Sequence, residues 1–513
     1  MPKLSDLFNG FPTTDAVPQI EIEGIAVDSR HVKPGDIFFA VIQGVDRYKF
    51  LDQVVERGAA AVVGERSGIE LSIPHIQVSD TRAALAHVSA AFFGQPASQL
   101  TVIGVTGTDG KTTTSNFIYQ ILQAAGHPTG MISTVNAQIG KQVLDTGFHV
   151  TTPEAYDTQR YLRQMLDAGL THAVLEMTSI GLAQQRGARP KEFDIGVVTN
   201  ITHEHLNDHG TYEAYFDAKA LLFEGLSQPY EKKNPIERLS VLNRDDKSYE
   251  GLAKRTQVKQ LSYGLHPEAE LRATDIENHP DRLGFTAIGP GFEFHVQTKM
   301  FGEFNVSNAL AAIGAAVVGL GVDTEAAKAG IAALEGVPGR MERIEMGQDF
   351  TAIVDFAHTP NALKVALEAG RQLTDGQVIA VFGSAGLRDK AKRRMMAEVA
   401  AELADISVLT AEDPRTESLD SILEEMAAGA KSKGGKEGKT FWRVPDRGAA
   451  ISFALLQAKP GDLVMVCGKG HEQSMCFGET EYPWDDRVAV RAALAEFLGT
   501  EGPTMPKLPT TGT

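Results

Sequence analysis

The chain has 513 residues, about three times the ~150 that one domain typically takes, so two or three domains with their own cores are expected. Apolar residues make up 42%, charged residues 22% and aromatics 7%, which excludes a disordered, collagen-like or coiled-coil chain. With 49 Lys+Arg against 66 Asp+Glu and a net charge of −17, sequence-independent binding to nucleic acid or anionic lipid is excluded; an anionic ligand needs a local site. Cys467 and Cys476 are the only cysteines; they form no disulfide framework or zinc cluster and suit a reducing, cytoplasmic setting. The opening MPKLSDLFNG lacks the basic and apolar regions of a signal peptide. The longest apolar and glycine run, Ala309 to Val322, falls short of the ~20 residues of a membrane span and reads as a buried helix. No membrane insertion is expected, and a monomer is.

Residues 1–98 carry short β-rich segments, Ile37 to Ile42 and Ala59 to Val63, closed by a helix from Thr81 to Phe93; they read as a small α/β domain. Residues 99–337 hold strand-like runs at Leu100 to Thr106, His172 to Glu176 and Asp194 to Asn200. Between them a helix from Thr112 to Ala125 places Phe117, Ile118, Ile121 and Leu122 at helical spacing and stops at Gly126, and Thr152-Pro153 offers an N-cap and an N1 proline for another. This alternation implies a doubly wound, mostly parallel sheet. After Gly336-Val-Pro-Gly339, strands at Phe350 to Asp355, Gln377 to Phe382, Ile406 to Thr410 and Asp462 to Cys467 predict a third, Rossmann-like domain over 338–498. The fold class is α/β in three domains. Ser227 to Glu237 and Lys431 to Lys439 read as surface loops, and the Pro/Thr/Gly-rich residues 499–513 as a disordered tail.

Gly104-Val-Thr-Gly107-Thr108-Asp-Gly110-Lys111-Thr112 follows the first central strand and opens a helix, the context of a P-loop. Its glycines let backbone N–H groups face phosphate oxygens, the helix N-terminus adds partial positive charge, Lys111 neutralises the outer phosphates and the Thr112 hydroxyl can hold Mg²⁺. The first glycine of the strict pattern is displaced, with Val105 in its place. Glu176 and Asn200 end the next two strands, and ligands bind at the carboxyl ends of parallel strands, so both should face the same crevice. His203, His205 and His209 follow Asn200. They can serve a metal on the phosphates, a zinc ion or the structure alone; a phosphate-bridging metal explains their placement better than zinc, which has no cysteine here.

These segments resemble the Mur ligases, ATP-dependent amide ligases of peptidoglycan precursor synthesis, and most closely the branch that adds the third residue of the stem peptide. Thr106-Gly-Thr-Asp-Gly-Lys-Thr-Thr113 is similar to their P-loop, displaced glycine included. Asp28-Ser29-Arg30 with Lys33-Pro-Gly-Asp36 resembles the nucleotide-sugar domain, and Thr151-Thr152-Pro153-Glu154 the substrate loop. The resemblance implies UDP-MurNAc-L-Ala-D-Glu and a free amino acid as substrates, with ATP and Mg²⁺. It implies that Ser29 meets the uridine nucleotide and that Thr151, Thr152, Thr178, Ser179, Gln184 and Arg186 hold the sugar-peptide. ATP would be met by Gly107, Thr108, Gly110, Lys111, Thr112, Thr113, Asn308, Arg340, Asp355 and His358. Thr112, Glu176, His205 and Lys219 would be the metal ligands, Lys219 as the carbamate N6-carboxylysine. Lys111, Lys219, His205 and Arg340 would be catalytic, with domain closure bringing the parts together.

For the incoming amino acid the resemblance points to Arg388, Glu412, Asp413, Arg415, Gly468 and Glu472. The family's Asp-Asn-Pro-Arg reads Glu412-Asp413-Pro414-Arg415 here. Arg415 can pair a distal carboxylate in bidentate fashion, which favours meso-diaminopimelate, whereas the added acid would favour lysine or ornithine. Thr178, Ile180 and Arg47 to Phe50 also depart from the family pattern. A folylpolyglutamate-synthetase-like ligase shares the P-loop but not the Asp28-Ser29-Arg30 or Thr151-Thr152-Pro153 segments. A noncatalytic ATP-binding scaffold would not need the whole set of Lys111, Thr112, Glu176, His205, Lys219, Arg340 and Asp355.

Overall fold

The computed structural model describes residues 1–42, 46–135, 137–144, 152–202, 209–279 and 282–512. Thr151, His203 and His205 lie outside the described residues. The chain groups into two compact units, one of residues 1–111, 122–269 and 311–323, the other of residues 112–121, 270–310 and 324–513.

In the first unit, β1 (Gly24–Ala26), β2 (Asp36–Phe39), β3 (Ala61–Gly64) and β4 (His75–Gln77) form a parallel sheet in that order. Strands β2 and β3 are buried along their whole length, as expected of parallel strands covered on both faces. Helix α1 (Thr81–Phe92) starts where the Asp80 carboxylate accepts from the N–H groups of Arg82 and Ala83, satisfying two of the donors a helix start leaves open.

The larger sheet of this unit runs β12-β11-β10-β5-β9-β6-β7-β8, formed by β5 (Thr101–Thr106), β6 (Thr129–Ile132), β7 (Ala137–Ile139), β8 (Gln142–Leu144), β9 (His172–Glu176), β10 (Ile195–Val198), β11 (Leu239–Asn243) and β12 (Lys259–Gly264). It is parallel from β12 to β6 and antiparallel across the two hairpins beyond. Central strand β5 leads directly to α2 (Lys111–Ala124), and α3 (Ala155–Asp167) and α4 (Tyr212–Leu226) follow. Helix α3 does not begin on Pro153 as the sequence suggested. Its N-cap is Glu154, because the Thr152 hydroxyl turns instead to Thr178, accepting from its N–H at 3.2 Å and meeting its Oγ1 at 3.1 Å.

The segment 227–237 is irregular, as expected, yet anchored. The Lys232 side chain is 4% exposed, and its Nζ donates to Asp194 Oδ2 at 2.6 Å and to the carbonyls of Ala97 and Leu100.

In the second unit, β13 (Leu271–Asn278), β14 (Leu283–Gly289) and β15 (Phe292–Thr298) form an antiparallel meander absent from the sequence reading. Helix α5 (Phe304–Ile313) runs on into a π-helical turn over Gly314–Val318, so the run expected as one buried helix from Ala309 to Val322 changes its hydrogen-bond pitch and is buried over 309–316 but only half-buried over 317–320.

A six-stranded sheet follows in the order β16-β17-β21-β18-β19-β20, from β16 (Glu342–Ile344), β17 (Thr351–Asp355), β18 (Val378–Phe382), β19 (Ile406–Leu409), β20 (Phe441–Arg443) and β21 (Leu463–Cys467); only β16 is antiparallel. Helices α6 (Pro360–Gln372), α7 (Lys390–Leu403), α8 (Leu419–Ser432), α9 (Arg447–Gln457) and α10 (Asp486–Leu498) accompany it. Strand β21 lies between β17 and β18, so the strand order reverses there, and the carboxyl ends of β17, β18, β19 and β21 deliver four loops to one edge. The tail is not loose. Leu508 is 5% exposed in the core, and the Thr510 and Thr511 hydroxyls donate to Asp446 Oδ2. Among the described residues no helix is long and apolar enough to cross a membrane.

Candidate active site

The turn between β5 and α2 is built by close approach. Gly107 has φ +148°, and a Cβ there would fall 1.8 Å from Thr199 Oγ1, so only glycine fits. The end of β10 holds the turn from the other side: Thr108 N–H donates to the Asn200 carbonyl at 2.7 Å, Asp109 N–H to Asn200 Oδ1 at 2.9 Å, and the Thr199 hydroxyl to the Asp109 carbonyl at 2.5 Å. Lys111 Nζ folds back onto the Thr108 carbonyl at 2.8 Å. Thr108 Oγ1 meets Tyr215 OH at 3.0 Å and accepts from Thr202 N–H.

Lys219, on α4, is 1% exposed. Its Nζ donates to the Gly107 carbonyl at 2.6 Å and lies 4.6 Å from the centre of the Tyr215 ring. The solvated surface position that a helical lysine ordinarily takes is thus excluded. Glu176, 2% exposed at the end of β9, accepts from Thr134 through both oxygens, from the N–H at 2.9 Å and the hydroxyl at 2.8 Å. Among the described residues, no three His, Cys, Asp or Glu side chains gather into a metal cluster. Thr112 and Glu176 offer hard oxygen donors of the kind Mg²⁺ takes.

The residues expected to hold the sugar-peptide also gather in the first unit. Thr178 caps a short helix through Gly181 N–H, Ser179 Oγ lies 2.9 Å from His209 Nε2, and Gln184 Oε1 accepts from Arg186 Nε at 2.9 Å. Arg186 and Arg82 flank the Glu154 carboxylate at 3.4 and 3.3 Å; Arg82 had no signal in the sequence. Ser29 is buried in a turn capped by Asp28. Arg30 to Lys33, just beyond it, line a cavity of about 720 Å³ with Arg57, Asp36 and Tyr156.

In the second unit, Asn308 accepts from the Thr114 hydroxyl at 3.3 Å and donates to Asn305, and Thr113 is buried. Arg340 Nη2 stands 3.4 Å from Thr112 Oγ1, its guanidinium 4.4 Å above the Phe356 ring. Asp355, at the end of β17, accepts the N–H groups of Met341 and Ala357 at 2.7 and 2.8 Å, which fixes the turn that carries Arg340. His358 Nδ1 is 2.9 Å from the Phe356 carbonyl.

Three of the four loops at the edge of the six-stranded sheet, those after β18, β19 and β21, meet around Asp413. Its carboxylate accepts from Lys469 Nζ at 3.0 and 3.1 Å and from Cys476 N–H at 2.9 Å, and Lys469 also pairs with Glu472. The Asp413 carbonyl accepts from Gly386 N–H, which draws in the loop bearing Arg388. Arg388 itself is exposed.

Glu412 is 6% exposed, and its Oε2 has no hydrogen-bond partner. Burial pushes its carboxyl up to about 7, against the pull of Arg447, Lys392 and Lys469. A Cβ on Gly468 would fall 2.3 Å from that oxygen, so the two loops touch there. Burial also holds His471 neutral, near 3, with the cations Arg340, Arg487 and Lys469 acting in the same sense. Arg415 makes only backbone hydrogen bonds, to Cys476 and Gly478, and its guanidinium pairs with no described residue.

A buried parallel strand, a glycine turn and a helix opened by a lysine folded onto that turn define a nucleotide-binding α/β protein of the P-loop class. Family models narrow this: the Mur ligase middle domain matches residues 105–316, and the Mur ligase glutamate ligase domain matches residues 339–470. A UDP-N-acetylmuramyl-tripeptide synthetase of Roseiflexus sp. (strain RS-1) is 43% identical over 491 residues, 94% of this chain and 96% of its own. A UDP-N-acetylmuramoyl-L-alanyl-D-glutamate--2,6-diaminopimelate ligase of Geobacillus thermodenitrificans (strain NG80-2) is 40% identical over 480 residues, covering 93% and 95%. A solved structure of a ligase bearing that same name superposes with a TM-score of 0.65 at 30% identity over 97% of this chain and 99% of the other. The chain belongs to the Mur ligase family.

Proposed function

We propose that the protein is a cytoplasmic, ATP-dependent ligase that adds a diamino acid to UDP-MurNAc-L-Ala-D-Glu in peptidoglycan precursor synthesis. The observation that carries this is the presence, in one chain 43% identical to a tripeptide synthetase, of both a nucleotide turn clamped by Thr199 and Asn200 and a loop cluster centred on Asp413 and Lys469. The D-Glu side-chain carboxylate attacks the γ-phosphate, forming an acyl phosphate and ADP. The amine then adds to the acyl carbon, and phosphate leaves from the tetrahedral adduct. Lys111 and Arg340 offset the charge on the moving phosphoryl group, and the turn amides hold it in line. Thr112 and Glu176 would hold Mg²⁺, together with His205 and a carboxylated Lys219; the ion supplies charge neutralisation at the phosphate oxygens. Ser29, Thr151, Thr152, Thr178, Ser179, Gln184 and Arg186 hold the nucleotide sugar-peptide, and Asn308, Asp355 and His358 hold ATP.

The acceptor reading follows from which charges are already paired. Asp413 and Glu472 share the cation of Lys469, whereas the Arg415 guanidinium pairs with no described residue. The Arg415 fork therefore suits a carboxylate at the far end of the incoming amino acid, and the acid left over from the shared Lys469 suits the ammonium beside it, as in meso-diaminopimelate. Phosphate release with ATP, Mg²⁺ and the nucleotide dipeptide should require an added amino acid and be fastest with meso-diaminopimelate. A preference for lysine or ornithine would overturn the acceptor reading, and no turnover with any amino acid would overturn the ligase reading.

A further inference from the structure

Arg447 opens α9 and lies outside every loop assigned above, yet it is 0% exposed. Its Nη1 donates to the Ala411 carbonyl at 3.1 Å and its Nη2 to the Cys467 carbonyl at 2.8 Å. Ala411 immediately precedes Glu412-Asp413-Pro414-Arg415, and Cys467 immediately precedes Gly468-Lys469-Gly470-His471-Glu472. One planar guanidinium thus ties the roots of both loops.

The guanidinium is itself fixed. Nε and Nη2 each donate to Asp486 at 2.7 Å, and Asp486, also 0% exposed, accepts from Trp484 Nε1 at 2.8 Å. A fully buried ion pair is a weak source of net stability when compared with apolar packing. A rigid fork with fixed donor directions, however, sets the separation of two carbonyls in a way that a point-charge ammonium does not.

Building on the acceptor reading above, we propose that the Arg447–Asp486 pair is a positioning device for the incoming amino acid, setting the spacing between the Glu412–Arg415 and Gly468–Glu472 loops. Lys469 and Asp413 close the two loops at their tips, and Arg447 fixes them at their roots. Arg447 touches no substrate in this arrangement; its effect reaches the amine only through loop spacing.

The test pairs kinetics with hydrogen–deuterium exchange on the full chain. In Arg447→Lys the KM for the amino acid should rise at least tenfold, with the KM values for ATP and the nucleotide dipeptide within twofold of the parent. Amide exchange should quicken in both loops together and not in the 104–112 turn. Asp486→Asn, which keeps the volume of the side chain, should show the same pattern more weakly and guards against a variant that fails to fold. Exchange needs no substrate: unchanged exchange in both loops overturns the proposal. Equal KM rises for all three substrates, or an amino-acid KM within twofold of the parent, do so too. Faster loop exchange in an enzyme that turns over no amino acid would uphold the coupling and count against the ligase reading alone.

Discussion

Glu412 shows how far one residue's surroundings can move its chemistry. With the folded carboxyl near pH 7, the sign of its linkage is fixed. At pH 4 the group is mostly protonated whether or not the chain is folded, and it adds little. As pH rises from about 4 to 7 the unfolded chain releases the proton and the folded chain retains it, so stability falls, and above 7 the penalty levels off at about 3 kcal/mol. Glu412→Gln should therefore unfold at a higher temperature than the parent at pH 8 and at nearly the same temperature at pH 4. Equal melting temperatures at both would contradict the burial argument.

Lys219 supports a second prediction. The carbamate proposed at Lys219, whose buried Nζ sits on the nucleotide turn, should give a carbamate carbon resonance with ¹³C-bicarbonate that Lys219→Ala abolishes; its persistence in that variant would assign it elsewhere. The role proposed for Lys219 came from family resemblance alone, since a lysine within a helix otherwise reads as solvated. Arg447 gave no signal, since its partners lie 36, 20 and 39 residues away in the chain and a basic residue opening a helix reads as solvated.

Whole elements were legible where a run was apolar on both faces. Strands β5, β9, β10, β18 and β21 fall within one or two residues of the runs that suggested them, because parallel strands bury both sides. The β13–β15 meander was missed because burial alternates along β15, so charged and apolar residues interleave and mask the run. The start of α3 was misplaced because a threonine before a proline looks like a cap, whereas Thr152 bonds across to Thr178.

The nucleotide turn was readable from its glycines and lysine, and Asn200 was expected at the same crevice from its place at a strand end, but the clamp by Thr199 was not, since it depends on close approach from another strand. That clamp predicts the effect of Gly107→Ala. With φ at +148° and a Cβ 1.8 Å from Thr199 Oγ1, the turn must open, and ATP affinity measured by calorimetry should fall at least tenfold. Unchanged affinity would show that the turn adapts at no cost.

At the scale of the molecule, the fold class followed from alternation alone, while the anchoring of its irregular segments depended on contacts between residues distant in the chain. Lys232 illustrates this. Removing it as Lys232→Met leaves Asp194 buried without its cation, and a loss of about 3–5 kcal/mol is expected in urea unfolding. A change within 1 kcal/mol would mean that the 227–237 segment is not anchored by charge.

The acidic net charge excludes a global attraction for an anionic nucleotide, so the proposed recognition rests on local cations such as Lys111, Arg186 and Arg340. The most direct test of the proposed reaction is mass spectrometry of the nucleotide product after incubating the purified protein with ATP, Mg²⁺, UDP-MurNAc-L-Ala-D-Glu and meso-diaminopimelate. The expected result is a nucleotide heavier by one diaminopimelate residue, with one ADP formed per product and no ADP beyond one per enzyme when the amino acid is omitted. ADP formation without any gain in mass, or an unchanged nucleotide with every diamino acid supplied, would contradict it.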